Sequence, residues 1–535
     1  MARAQRSALV QRNSAAVASL PSPVGGWNAR DSIANMAPID AYALTNFFPN
    51  TSNVVLRGGY KNHVTGITGQ VETLMNYSTG TTEELFAIAG TAIYNVTTAG
   101  VVGAAVVSGL TNARWEYINV TTAGGSFLYL VNGVDAPRLY NGTTWTAITA
   151  ISSPAITGVT TTDLTNITLW KNLVWFVQKN SLKSWYLPTA AVGGAANVID
   201  LSSVAMRGGT LVAMGTWTID AGYGVDDNLV FVTSEGEIIV YAGTDPASAN
   251  TFALVGVWQL GNPIGKRCLK KYGGDLLVLT LDGLIPLASG LQSSRLDPRV
   301  ALSDKIQGAF AAATVLYKNT FGWQIVFSPE NDALWVNVPV AVGSQQQYVM
   351  NTITRSWCNF TGWNANCWET YNEQPYFGGS GVVAKAWDGG FADNAANIPA
   401  RALQAFNYFD ARGVEKYFTR ARPTILTDGT PSILVGINVD YDLSDSTAAL
   451  SFSGTATGLW GTSLWGIGLW GSGLAVSNNW QGVTGVGYTG AVQLKSASKG
   501  LQIEWAVAKG VVSECGAETG DGGQCGGHAC DSVCR

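Results

Sequence analysis

Between Glu84 and Asp388 the chain repeats one pattern seven times, at intervals of roughly 43 to 56 residues: a short apolar run, a tight polar or glycine-containing turn, and a second apolar run. The first instances are 85–94 (LFAIAGTAIY), 127–133 answered by 138–140, 173–177 answered by 185–186, and 229–232 turning at Glu235-Gly236 into 238–241. The later ones are 276–279 turning at Asp282-Gly283, 324–327 turning at Asn331-Asp332, and 375–377 turning at Gly378-Gly379. Apolar runs of this length bounded by turn residues read as buried strands, and their recurrence predicts a radial array of small antiparallel sheets. The expected fold is all-β, a β-propeller of six or seven blades; a pair of β-sandwiches is the competing architecture.

Past Pro399 the pattern lengthens and alternates with period two, at 405–409, 416–420, 433–441 and 501–507, which predicts a second antiparallel β domain, a platform beside the propeller. Closing a propeller brings its first and last blades together, so the strand-like 53–57 is expected to complete the C-terminal sheet. The predicted organisation is an extended arm at 1–26, a β segment at 27–66 joining the platform, the propeller at 67–397, the platform at 398–510 and a Gly/Cys-rich tail at 511–535. Residues 393–407 are the one helix-like stretch, interrupted by Pro399. Between the late strands lies 458–471 (GLWGTSLWGIGLWG), a Leu-Trp-Gly triplet with a five-residue period that fits neither strand nor helix. Each glycine is expected to bend the chain and present Trp460, Trp465 and Trp470 alike, either under their own domain or, as the preferred reading, against a partner as aromatic anchors.

Charged residues are 13% of the 535, against 63 Gly and 19 Trp, a balance that reads as an assembly component hiding its exterior against other chains. The net charge of −5 supplies no electrostatic footprint for gripping nucleic acid, though DNA sliding past is compatible with it. The sequence shows no apolar core of a secretory leader and no run of about 18 apolar residues, so no membrane segment is expected.

Candidate chemistry is sparse. A propeller glycosidase needs paired carboxylates, and none pair visibly in the sequence. Residues 140–145 (YNGTTW) are similar to a sialidase Asp-box turn without its Asp, and read as an Asn-Gly hairpin turn. His63 and His528 are the only histidines, with His63 expected on a surface turn, and no Gly-x-Ser-x-Gly, Walker-type or His-Glu-x-x-His motif occurs. No catalytic residue and no cofactor is therefore assigned. Cys268, Cys358 and Cys367 read as small buried hydrophobes. Cys515, Cys525, His528, Cys530 and Cys534 concentrate ligand-type residues; a zinc site, two disulfides and an unliganded flexible tail stay open, since no cysteine pair has the two-residue spacing of a zinc knuckle.

Residues 40–60 (DAYALTNFFPNTSNVVLRGGY), 71–75 (VETLM), 84–90 (ELFAIAG), 418–423 (FTRARP) and 439–441 (VDY), with the Leu-Trp-Gly triplets, resemble the tail nozzle, or tail tubular protein B-like, proteins of short-tailed bacteriophages. The resemblance spans about residues 27–510 and leaves the cysteine-rich tail unmatched. It implies a non-enzymatic virion protein assembled in the host cytoplasm into a homohexameric ring of the phage tail. That ring hangs below the portal ring and head-tail adaptor, with tail fibres as further partners and DNA ejection through its channel without specific binding. Propellers would project sideways while the second β domain forms the tube. The alternative from another class is a propeller-based tail protein that binds or cleaves glycans. It requires two carboxylates within about 5 to 10 Å in an axial pocket.

Overall fold

The computed structural model describes residues 16–220, 225–248, 250–292, 298–388, 390–450 and 474–514. Two compact units emerge, one from 58–395 and one from the chain on either side of it.

Residues 58–395 form a β-propeller, and the blade count resolves to seven. Blade 2 shows the plan: Glu116–Thr122, Gly125–Val131, Arg138–Tyr140 and Trp145–Ala147 run up and down in sequence order. Blade 3 repeats it from Leu164–Trp170 to Asn197–Asp200, and blade 4 from Leu211–Asp220 to Phe252–Gln259. Blade 5 has three strands, Leu269–Tyr272, Asp275–Thr280 and Gly283–Pro286. Blade 6 runs from Gln324–Ser328 to Trp357–Thr361. Each predicted hairpin falls in a different blade. Six join strands two and three, whereas 324–327 with 333 onward joins strands one and two.

Blades 7 and 1 share a strand. Tyr60–Ser78 pairs through its first half with Ser380–Ala386, completing blade 7 after Cys367–Tyr371 and Gln374–Gly378. Its second half pairs with Glu83–Ala89 as the innermost strand of blade 1. The passage between blades falls where Gly66 and Gly69 take φ of 82° and 95°, a region that residues with a Cβ rarely adopt. The expected boundary at 66/67 therefore moves to 57/58: the two glycines read as the end of a segment but are a bend inside one strand. His63 lies in this strand, not on a turn, with Nε2 3.0 Å from the Val96 carbonyl and its ring edge-on to Tyr376.

The core consists of sheets stacked face to face. Phe86, Trp115, Leu128 and Tyr140 pack between blades 1 and 2, and Tyr129, Val131, Phe176 and Leu164 between blades 2 and 3. Trp175, Phe231 and Phe252 continue the series between blades 3 and 4. Trp335, Trp363, Trp368 and Trp387 form a ring-contact cluster in blades 6 and 7 and the segment after them. The aromatic excess read as interface material is thus spent largely inside, with Trp115, Trp170, Trp175, Trp335, Trp357, Trp363, Trp368 and Trp505 almost fully buried. Cys268, Cys358 and Cys367 are buried as expected, and burial pushes the Cys268 and Cys367 thiols up to about 12.

The second unit is antiparallel β. In one sheet Lys416–Thr427 and Ile503–Glu514 are central, and Val54–Leu56 pairs with the latter, so the N-terminal strand completes the C-terminal sheet. In the other, Asp40–Thr45, Ile398–Gln404, Gly490–Ser498 and Ile433–Val439 follow in order. Three expectations are corrected. The arm is a strand from Ala16: Ala16–Pro21 pairs with residues 507–512. The helix-like 393–407 contains the strand Ile398–Gln404, where Pro399 is exposed while Ala400, Ala402 and Leu403 face inward. The longest helix among the described residues is Gln307–Tyr317, in the 58–395 unit, whose run of alanines is a strong helix former.

Candidate functional site

All seven innermost strands contribute to one axial cavity of about 280 Å³, through Thr73, Tyr117, Asn166, Met214, Lys270, Gln324 and Glu369 in blade order. Only a closed ring of sheets brings residues so separated in sequence onto one axis.

Arg267, just before the inner strand of blade 5, crosses this space. Its Nε donates to Glu116 Oε1 at 3.2 Å, Nη1 to the Glu72 carbonyl at 3.1 Å, and Nη2 to Thr73 Oγ1 at 2.8 Å and the Trp115 carbonyl at 3.0 Å. The fork geometry of a guanidinium suits such convergent acceptors, and the group ties blade 5 to blades 1 and 2. Thr73 in turn donates to the Ala113 carbonyl at 2.7 Å and accepts from the Trp115 amide at 3.0 Å.

Glu369 of blade 7 is the second axial carboxylate. Burial raises its pKa, opposed by the charge of Lys270 and the hydrogen bond from Tyr117. The same surroundings hold the Tyr117 phenol well above its ordinary value, through burial first and the Glu369 charge second. The cavity thus sets Lys266, Arg267 and Lys270 against Glu116 and Glu369. With three cations against two carboxylates it is not an acidic cleft: one carboxylate is engaged by Arg267, and the other lies beside Lys270 and Tyr117.

A second pocket, of about 420 Å³, shares Glu116, Lys266 and Arg267 with the first and is lined further by Arg114, Asn132, Lys318 and Phe321. Arg114 pairs with Glu72 at 2.9 Å and lies 4.4 Å over the Phe321 ring, with Arg267 5.3 Å from the same ring. The side chains of Lys266 and Lys318, both exposed residues, make no hydrogen bond or ion pair among the described residues. The protein around the Lys266 ammonium lowers its pKa by desolvation, with the Glu116 charge acting the other way.

The site residues singled out in the sequence, Trp460, Trp465, Trp470, Cys515, Cys525, His528, Cys530 and Cys534, lie outside the described residues. The axial residues carry no local sequence signal; Arg267 meets its Glu116 and Thr73 partners across 151 and 194 residues. Residues 140–145 form the expected hairpin: Asn141 Oδ1 accepts from the Thr143 and Thr144 amides, Gly142 takes φ 92°, and Tyr140 stacks on Trp145 at 4.8 Å. Among the described residues no group of three His, Cys, Asp or Glu side chains is placed to hold a metal, and no helix is long and apolar enough to cross a membrane.

No protein-family model matches the chain, and no curated protein matches it. Solved structures do. BBS1N in complex with ARL6DN is similar at 10% identity over 62% of this chain and 98% of that one, with a TM-score of 0.38. YCF48 from Cyanidioschyzon merolae gives 12%, 64%, 97% and 0.32, and the Cps50 (Swd1) β-propeller domain of Myceliophteria thermophila 11%, 61%, 99% and 0.38. These likenesses are of fold and extend to nothing finer.

Proposed function

We propose that the chain is a non-enzymatic structural subunit of a ring-shaped conduit, the nozzle of a short phage tail below portal and adaptor, through which DNA leaves. The observation that carries this reading is the build of the chain. A propeller at 58–395 lies in the chain between two segments that together form a β platform, and a propeller with a second β domain is what the resemblance at residues 40–60, 418–423 and 439–441 implies. Those stretches supply the strands Asp40–Thr45, Phe47–Pro49, Val54–Leu56 and Lys416–Thr427 of the platform. An acidic chain suits a conduit, since a lumen lined by Lys and Arg would retain a polyanion. The ion pair between Glu116 and Arg267 speaks against the glycan-cleaving alternative, which needs both carboxyl groups of its pair available to the sugar.

Native mass measurement and electron microscopy of the purified chain test the reading. Closed rings of six copies with a through-channel are expected, lost when Trp460, Trp465 and Trp470 are all replaced by Ala. A single copy at every concentration that cleaves or retains sugar overturns it.

A further inference from the structure

In an up-and-down propeller, the connections between strands two and three of a blade, and from the last strand of one blade to the first of the next, emerge on one face. The pocket built around Arg114, Lys266 and Lys318 lies among such connections, since each of these residues directly precedes the inner strand of its blade. Its charge is unbalanced. Arg114 pairs with Glu72 and Arg267 with Glu116, so among the described residues the ammonium groups of Lys266 and Lys318 have no ion-pair partner of their own, and Lys266 feels only the Glu116 carboxylate that Arg267 already engages, in a chain whose net charge is −5. Two like charges held at one concave mouth repel, and an incoming anion relieves that repulsion.

The same connections carry large apolar side chains in water. Val315 and Leu316, in the last turn of the helix that leads into Lys318, are 77% and 68% exposed. Ile151, Met206 and Val342 on neighbouring connections are 95%, 91% and 88% exposed, and Val134 lines the pocket itself. Apolar groups surrounding a charged, aromatic-floored pocket are the composition of a protein-docking surface.

We propose that this face of the propeller docks an acidic, aliphatic-flanked segment of a partner protein. A carboxylate of the segment enters the pocket between Lys266 and Lys318 above Phe321, and its apolar side chains cover Val315 and Leu316. The proposal goes beyond the conduit reading and does not depend on it, because the binding partner is recognised by the propeller in a single copy.

The test is selection from a random dodecapeptide display library on the full chain, followed by fluorescence anisotropy with the enriched peptides. Enrichment in Asp and Glu beside Leu, Ile or Val is expected, with binding weakened at least about tenfold by Lys266→Glu combined with Lys318→Glu. Lys271→Glu, on the opposite end of blade 5, is expected to leave binding unchanged. If the double reversal lowers the melting temperature, Leu316→Ser provides the second arm, with an expected loss of about threefold. Enriched peptides without acidic bias, binding indifferent to both variants, or equal displacement by inorganic tripolyphosphate and by acidic peptide would each overturn the assignment. Ring formation is read separately by mass, so either result stands without the other.

Discussion

Val64 lies directly across from Val383 in an antiparallel strand pair, although one comes from the first strand of the propeller sequence and the other from its last blade. Both are almost fully buried, and both belong to the core cluster that includes Ile67, Val71 and Leu74. The pair is the latch of the ring: without it, blade 7 loses its outer strand and blade 1 its tether.

Placing a carboxylate in that latch is expected to be costly. Val64→Asp would bury an unpaired charge or force the strand off the sheet, at about 3 kcal/mol or more. Differential scanning calorimetry should show a lowered propeller transition, whereas Val101→Asp, at a position 83% exposed, should leave it unchanged.

Arg267 is the second tie, holding blade 5 to blades 1 and 2 through four hydrogen bonds. Arg267→Met would leave Glu116 unpaired in a largely buried setting and is expected to destabilise by about 3 to 5 kcal/mol. Arg267→Lys, which keeps the charge but loses the fork, should fall between the two. Chemical denaturation curves at low and high salt check this, and the loss should persist at high salt because screening of partly buried pairs is weak.

Glu369 gives a pH signature. Its folded-state pKa is raised, chiefly by burial, so its contribution to stability is full below the unfolded pKa and is lost as pH rises through the folded value. At pH 7, above the unfolded value, the raised pKa costs stability. Glu369→Gln, which keeps an acceptor for Tyr117, is therefore expected to melt higher than the parent at pH 7, with the difference shrinking toward pH 4. Melting temperatures of both proteins across that range measure it; a lower melting point for the variant at pH 7 would refute it.

The buried thiols are expected to be chemically silent. With Cys268 and Cys367 raised to about 12 and Cys358 also raised by burial, little thiolate forms at pH 8. Iodoacetamide labelling mapped by peptide mass spectrometry should leave all three unmodified in the folded chain and modify them once it is unfolded in denaturant.

Much of the fold was legible because the second and third strands of propeller blades are buried on both faces, and runs such as 229–232 and 276–279 are therefore uninterrupted apolar segments with a turn signal between them. The edge and inner strands were harder to see. Tyr60–Ser78 mixes exposed and buried positions, and its two bend glycines break the period, so its first half was read into the neighbouring domain. The helix Gln307–Tyr317 is not legible in the sequence because only Phe310, Ala313 and Thr314 are buried, too few to write a helical stripe. The axial site was not legible at all. Thr73, Glu116, Arg267 and Glu369 are unremarkable singly and become a cluster only when seven blades close around them.

Arg267 lies across the propeller axis like a crossbar. A polymer strand therefore finds no way down the axis of a single propeller, whatever the diameter of the blades suggests. In the conduit proposed above, the thread passes outside the propeller axis, and the propeller serves as wall or bracket to the bore.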